Sequence, residues 1–191
     1  MALWIILGII ALFIIWIVSM YNGFVKARIK IDNSWSDINV FLKKRFDLIP
    51  NLVNTVKGYA NFEQETLTKV IEARASATQV KIDPSNITPE ALAQYQQAQN
   101  GVGSALSRLL VVAEAYPDLK ANENFRDLQA QLEGTENRIT VARNRFNEVI
   151  QPYNVYIKKF PSNMIANMFG FTEKGYFEAA AGAEKAPEVK F

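Results

Sequence analysis

The chain has no cysteine and no histidine among its 191 residues. Without cysteine it can form no disulfide, accept no lipid through a thiol and perform no thiolate chemistry. Without histidine it lacks the commonest general base and the commonest metal ligand. A charge excess is missing too: 21 basic side chains stand against 19 acidic ones, a formal net charge of +2. Nucleic-acid-binding domains carry a strongly basic face, so no nucleic-acid partner is expected. The Lys43-Lys44-Arg45 run reads as a solvated helix face. No Gly-rich phosphate loop, nucleophile-elbow sequence or paired-acid signature occurs. The Glu-x-x-His pattern that builds metal pairs inside four-helix bundles needs histidine. Glu133 and Glu136 lie close in sequence to Arg138 and Arg143, as in a surface charge network. Glu63 and Glu65 have no evident partner. The sequence predicts no catalytic residue, no cofactor and no metal.

Charge is also missing from the whole first stretch, since no side chain from Met1 to Val25 carries one. Residues 2–18 are apolar with Gly8 the only interruption, and a bilayer core needs roughly 20 such residues as helix. Leu3, Ile9, Phe13 and Val18 supply hydrocarbon, while Trp4, Trp16 and Tyr21 lie towards the two ends, where amphipathic rings favour the interface. No basic n-region precedes the run, and Ser19-Met20-Tyr21 makes a poor cleavage site. Residues 1–25 are therefore expected to be an uncleaved single-pass anchor in a lipid bilayer. Lys26, Arg28 and Lys30 follow the run and no basic residue precedes it, so the positive-inside rule places the N-terminus outside and the remainder in the cytoplasm.

The rest reads as all-α. Trp35, Ile38, Leu42 and Phe46 recur at three and four residues, as do Leu52, Val56, Leu67, Val70 and Ile71 with their neighbours. No useful stretch alternates with period two. Residues 81–86 form a loop, and Thr88-Pro89-Glu90 restarts a helix with a cap, a first-turn proline and an acid at the positive end of the dipole. Tyr116-Pro117-Asp118 closes that helix, and another runs from about Asn122 to Phe160 with a kink expected at Pro152. Pro50 is ambiguous between a kink and a break. An unbroken helix over 22–80 would span roughly 90 Å, far beyond its neighbours. A break at Leu48-Ile49-Pro50 is favoured, giving an antiparallel up-and-down four-helix bundle. Gly101 and Ala105 either form a small-residue strip for close helix approach or mark a local irregularity.

Four such helices would return the chain towards the membrane, where residues 161–178 follow. Met164, Ile165, Met168, Phe169 and Phe171 crowd this segment, which could fill the bundle end, lie on the bilayer or contact a partner. Asn154 belongs to a series of asparagines along the helical stripes, and a buried one could fix register. The organisation expected is an anchor over 1–25, a bundle over 26–160, an apolar segment over 161–178 and a flexible tail over 179–191.

Several blocks carry a family signature. Y-N-G-F-V-K-A-R from Tyr21 and W-S-D-I-N-V-F-L-K-K-R-F-D-L-I-P-N-L-V-N-T-V-K-G-Y-A from Trp35 resemble the LemA family. So do A-L-S-R-L-L-V-V-A-E-A-Y-P-D-L-K-A-N-E-N-F from Ala105, T-E-N-R-I-T-V-A-R-N-R-F-N from Thr135 and F-P-S-N-M-I-A-N-M-F-G-F from Phe160. Gly101, Val102 and Pro152 depart locally from the family pattern. The resemblance implies a bacterial membrane protein with a four-helix bundle and no established activity or cofactor. The anchor is expected in the bacterial cytoplasmic (inner) membrane. Relatives are often encoded beside a TPM-domain membrane protein or a membrane zinc metalloprotease, and some carry a lipid-anchoring cysteine and are exported.

Together these readings lead to a non-enzymatic, membrane-tethered scaffold that self-associates and contacts other envelope membrane proteins. The alternatives are a lipid-sensing or membrane-remodelling protein acting through 164–171, and an accessory subunit of a neighbouring membrane protease.

Overall fold

The computed structural model describes residues 1–58 and 63–178, so the tail expected over 179–191 lies outside the described residues. Among the described residues every regular element is helical: α1 Ala2–Lys57, α2 Gln64–Gln79, α3 Pro89–Ala113, α4 Pro117–Ala121, α5 Glu123–Lys158 and α6 Ser162–Met168. A single 3₁₀ turn, Pro84–Asn86, joins α2 to α3. Two helix starts, those of α3 and α5, follow the side-chain chemistry of capping. Thr88 accepts from the Ala91 amide at 3.2 Å ahead of Pro89, and Asn122 accepts from the Phe125 amide at 3.0 Å.

The first third of α1 is bare. Only 6% of its most apolar 18-residue stretch is buried, and the helix is long and apolar enough to cross a membrane. A core helix of comparable apolarity would be mostly covered. Packing begins at Met20 and Phe24 and continues along one stripe through Ile31, Trp35, Ile38 and Leu42 to Val56.

Three contacts set the direction of α5. Phe24 lies 4.5 Å from Tyr156 between ring centroids, Trp35 lies 5.6 Å from Phe146, and Arg45 bonds Glu136 at 3.0 Å. Numbers rise along α1 as they fall along α5, so the two are antiparallel. On another side α3 supplies Tyr95 to Trp35, 5.2 Å between rings, and Gln99 to Arg45. The core falls into two clusters. One, towards the bare third of α1, is centred on Phe24, Trp35, Phe146 and Ile150. The other joins Ile49, Leu52, Val56, Val70, Leu109 and Phe125.

The break favoured at Pro50 is absent: α1 runs through it to Lys57. Proline removes the N–H that would bond the carbonyl four residues earlier. That carbonyl belongs to Phe46, and Nε of Arg74 on α2 donates to it at 3.0 Å. A guanidinium from a neighbouring helix thus replaces the missing amide. The chain leaves the helix at Gly58 instead. Pro152 is likewise inside α5, where Pro152 and Glu148 are both exposed and water can reach the unbonded carbonyl. A Cβ built at Gly101 meets nothing within 4 Å, so no helix approaches closely there.

Candidate functional site

The described residues contain no group of three or more acidic side chains placed to hold a metal. The chemistry of the molecule therefore concentrates in three other places: the apolar end near the start of packing in α1, the extended segment that follows α6, and a polar layer inside the helices.

At the apolar end, α5 stops at Lys158 and the chain turns through a cis Phe160–Pro161 peptide into α6. Two faces of α6 have different fates. Ile165 and Ala166 are buried in the core cluster that contains Phe24. Met164 and Met168, one helical turn apart, are each 62% exposed, with Phe169 at 47% and Phe160 at 78%. Aromatic contacts tie this end to α1. Phe169 lies 4.9 Å from Tyr21, and Phe171 lies 5.8 Å from Tyr21 and 5.0 Å from Phe24. Gly23 keeps the approach open, since a Cβ there would sit 2.9 Å from the Tyr156 hydroxyl. Of the five residues expected at a membrane or partner contact, Ile165 is buried and Phe171 is half-buried, while the other three are exposed. The residues expected in the anchor, Leu3, Trp4, Ile9, Phe13, Trp16, Val18 and Tyr21, all lie exposed on α1.

After Gly170, at φ 73°, the chain has no regular secondary structure as far as Glu178 and lies against the helices as a strap. Carboxamides hold it. Asn154 donates to the Lys174 carbonyl at 2.8 Å and accepts from the Lys174 amide at 2.9 Å. Asn147 does the same to Phe177, at 2.8 and 2.9 Å. Gln96 repeats the pattern on Glu178, at 2.8 and 3.2 Å. Each carboxamide matches the backbone N–H and C=O of one residue, as a neighbouring strand would. The Phe177 ring enters the core against Trp35, Phe146 and Arg143. Gly175 passes so near α3 that a Cβ would lie 2.8 Å from the Pro89 Cα. Burial, with Arg28 nearby, holds the Lys174 ammonium below its ordinary pKa.

The polar layer lies between the two apolar clusters. Arg45 is 1% exposed; it donates to Glu136 Oε2 at 3.0 Å and to Gln99 Oε1. This corrects the solvated-face reading for Arg45, and it gives Glu136 an interhelical partner instead of a purely surface one. Burial pushes the Tyr95 phenol up to about 12. Burial and the nearby Arg45 charge hold the Arg143 guanidinium below its ordinary value. The two acids without evident partners also have them: Glu63 accepts from Thr66 at 2.7 Å, and Glu65 pairs with Lys69 at 2.5 Å. Sequence reasoning missed this layer because a charged run on an amphipathic helix does not show which of its members points inward.

The model of the LemA family matches residues 34–191, most of the chain. The chain belongs to the LemA family. Three curated relatives extend the comparison to this LemA chain. Magnetosome protein MamQ 2 of Paramagnetospirillum magneticum is 26% identical over 91% of this chain and 70% of its own length. Magnetosome protein MamQ of Magnetospirillum gryphiswaldense is 27% identical over 89% of this chain and 69% of its own. Protein LemA of Metamycoplasma hominis is 23% identical over 83% and 69%. None of these names denotes an enzymatic activity. The family match includes the polar layer, α6 and the strap of this LemA protein.

Proposed function

We propose that this LemA-family chain is a membrane-anchored, non-enzymatic helical scaffold of the bacterial envelope. In this reading α1 crosses the cytoplasmic membrane once, and α1, α2, α3 and α5 form an antiparallel up-and-down bundle on the cytoplasmic side. The observation that carries it is the continuity of α1: one 56-residue helix is bare and apolar at one end and is the spine of the packed core at the other. An uninterrupted helix transmits orientation from bilayer to bundle without a flexible linker. Lys26, Arg28 and Lys30, all exposed just past the apolar stretch, support the cytoplasmic placement. A groove of about 420 Å³ between α1 and α5 mixes Phe41 and Val141 with Asp37, Arg138 and Arg145. Such a mixture of apolar and charged side chains suits contact with a helical partner. Confinement to a membrane raises the effective concentration of copies and favours self-association.

Affinity capture at native abundance from gently solubilised membranes tests the scaffold reading. Recovery with further copies and other envelope proteins is expected, and recovery as a lone monomer would overturn it. Placement is tested with a single cysteine at exposed Val111. A membrane-impermeant maleimide should label it only after cells are broken; labelling in intact spheroplasts would put the bundle outside.

A further inference from the structure

We propose that α6 together with Phe160 is a second, shallow membrane attachment, seated in the interfacial layer of the same leaflet from which α1 emerges. This rests on α1 spanning the membrane. The uncharged stretch of α1 ends at Val25, and the first charge is Lys26. Residues 21–24 therefore lie between hydrocarbon and the first ionic side chain, the depth at which aromatic rings settle. Phe169 and Phe171 pack on Tyr21 and Phe24, which fixes α6 at that same depth.

α6 carries apolar side chains on both faces, with Asn167 exposed among the outer ones. Ile165 and Ala166 face the core, and Met164, Met168, Phe169 and Phe160 are left uncovered. An exposed group of four large apolar side chains in water is a liability; at the headgroup boundary it is a binding surface. Lys159 immediately precedes Phe160 and Lys26 is exposed on α1, so cations flank the patch, while Lys158 is paired with Glu173 at 2.6 Å. Once α1 is inserted the patch meets lipid intramolecularly, with no further association step. Two attachments set side by side would hold the bundle at a fixed tilt.

The absence of cysteine makes the test direct. The full chain, carrying one cysteine at Met164 or Met168 labelled with an environment-sensitive fluorophore, is reconstituted in phosphatidylcholine–phosphatidylglycerol vesicles. Spin-labelled lipids then quench at shallow or deep positions. Matching labels at Phe13 and Val111 report the span and the far part of the bundle. The expected result is a blue-shifted emission at 164 and 168, at least halved by shallow quenchers, with Phe13 quenched by deep ones and Val111 by neither. Quenching at Phe13 with 164 and 168 as unquenched as Val111 would overturn the shallow attachment while leaving the span intact. Blue-shifted but unquenched labels at 164 and 168 would mean coverage by protein, and would overturn it as well. No quenching at Phe13 would remove the span and this inference with it.

Discussion

Arg45 shows how much one side chain can hold. Its guanidinium joins Glu136 on α5 and Gln99 on α3, inside a layer that separates two apolar clusters. The two partners of the ion pair are not equivalent, because Arg45 is buried whereas Glu136 is half-exposed. Removing Glu136 leaves a buried cation with one neutral acceptor, while removing Arg45 leaves an acid that water can reach and a buried but neutral Gln99 carboxamide without its donor. Glu136→Ala should therefore cost about 2–4 kcal/mol, and Arg45→Met no more than about 1–2 kcal/mol. Urea titrations of the two variants in detergent check the order; equal losses would contradict it. Tyr95 gives a pH signature. Burial raises its phenol to about 12 from 10.0. The unfolded chain releases this proton near pH 10 and the folded chain only near 12, so the stabilisation is complete below 10 and lost as pH rises through 12. Tyr95→Phe should remove a destabilisation of about 2 kcal/mol between pH ~9 and ~11.5. A wild-type and variant difference that stays flat across that range would show that Tyr95 does not carry it.

At the level of elements, the instructive case is α1 at Pro50. The proline leaves the Phe46 carbonyl without its helical donor, and Arg74 of α2 supplies another. The two positions should be energetically coupled. Arg74→Met alone should destabilise by about 1–2 kcal/mol, and by much less in a Pro50→Ala background, where the backbone amide returns. A double-mutant cycle measures this, and additive effects would show that Arg74 acts only through packing. The strap follows the same physics with the roles exchanged, since side-chain amides of Asn154, Asn147 and Gln96 stand in for a neighbouring strand. In both places a backbone group that secondary structure leaves unmatched is matched by a side chain.

For the whole molecule, the division of labour along α1 makes a simple claim. The apolar stretch buries almost nothing, and packing starts at Met20. Deleting residues 1–18 should leave the unfolding midpoint of the remaining protein within ~2–4 °C of the full chain, the shift that about 1 kcal/mol produces in a domain of this size. Thermal unfolding followed by circular dichroism in the same detergent tests it. A much larger drop would mean that the span contributes to the fold beyond anchoring.

What could be read in the sequence were the features that depend on local order along the chain. The apolar run, the cap at Thr88, the helix start near Asn122, the helical period and the family blocks all lie within short windows. Whether Pro50 breaks a helix could not be read, because the answer lies in Arg74, 24 residues away by number, acting across an interhelical gap. The fate of Lys43-Lys44-Arg45 was hidden for a similar reason: three adjacent cations look alike until α3 and α5 bring Gln99 and Glu136 to one of them. The apolar segment after α5 was visible as composition, but its partition into packed Ile165 and uncovered Met164 and Met168 required α1 beside it. Sequence by itself determined that the chain is helical and that its first stretch is apolar enough for a bilayer, since propensity and hydropathy act within a few residues. Tertiary structure alone decided which polar groups are buried and which apolar ones are not, because burial is a property of neighbours that the chain brings together only by folding.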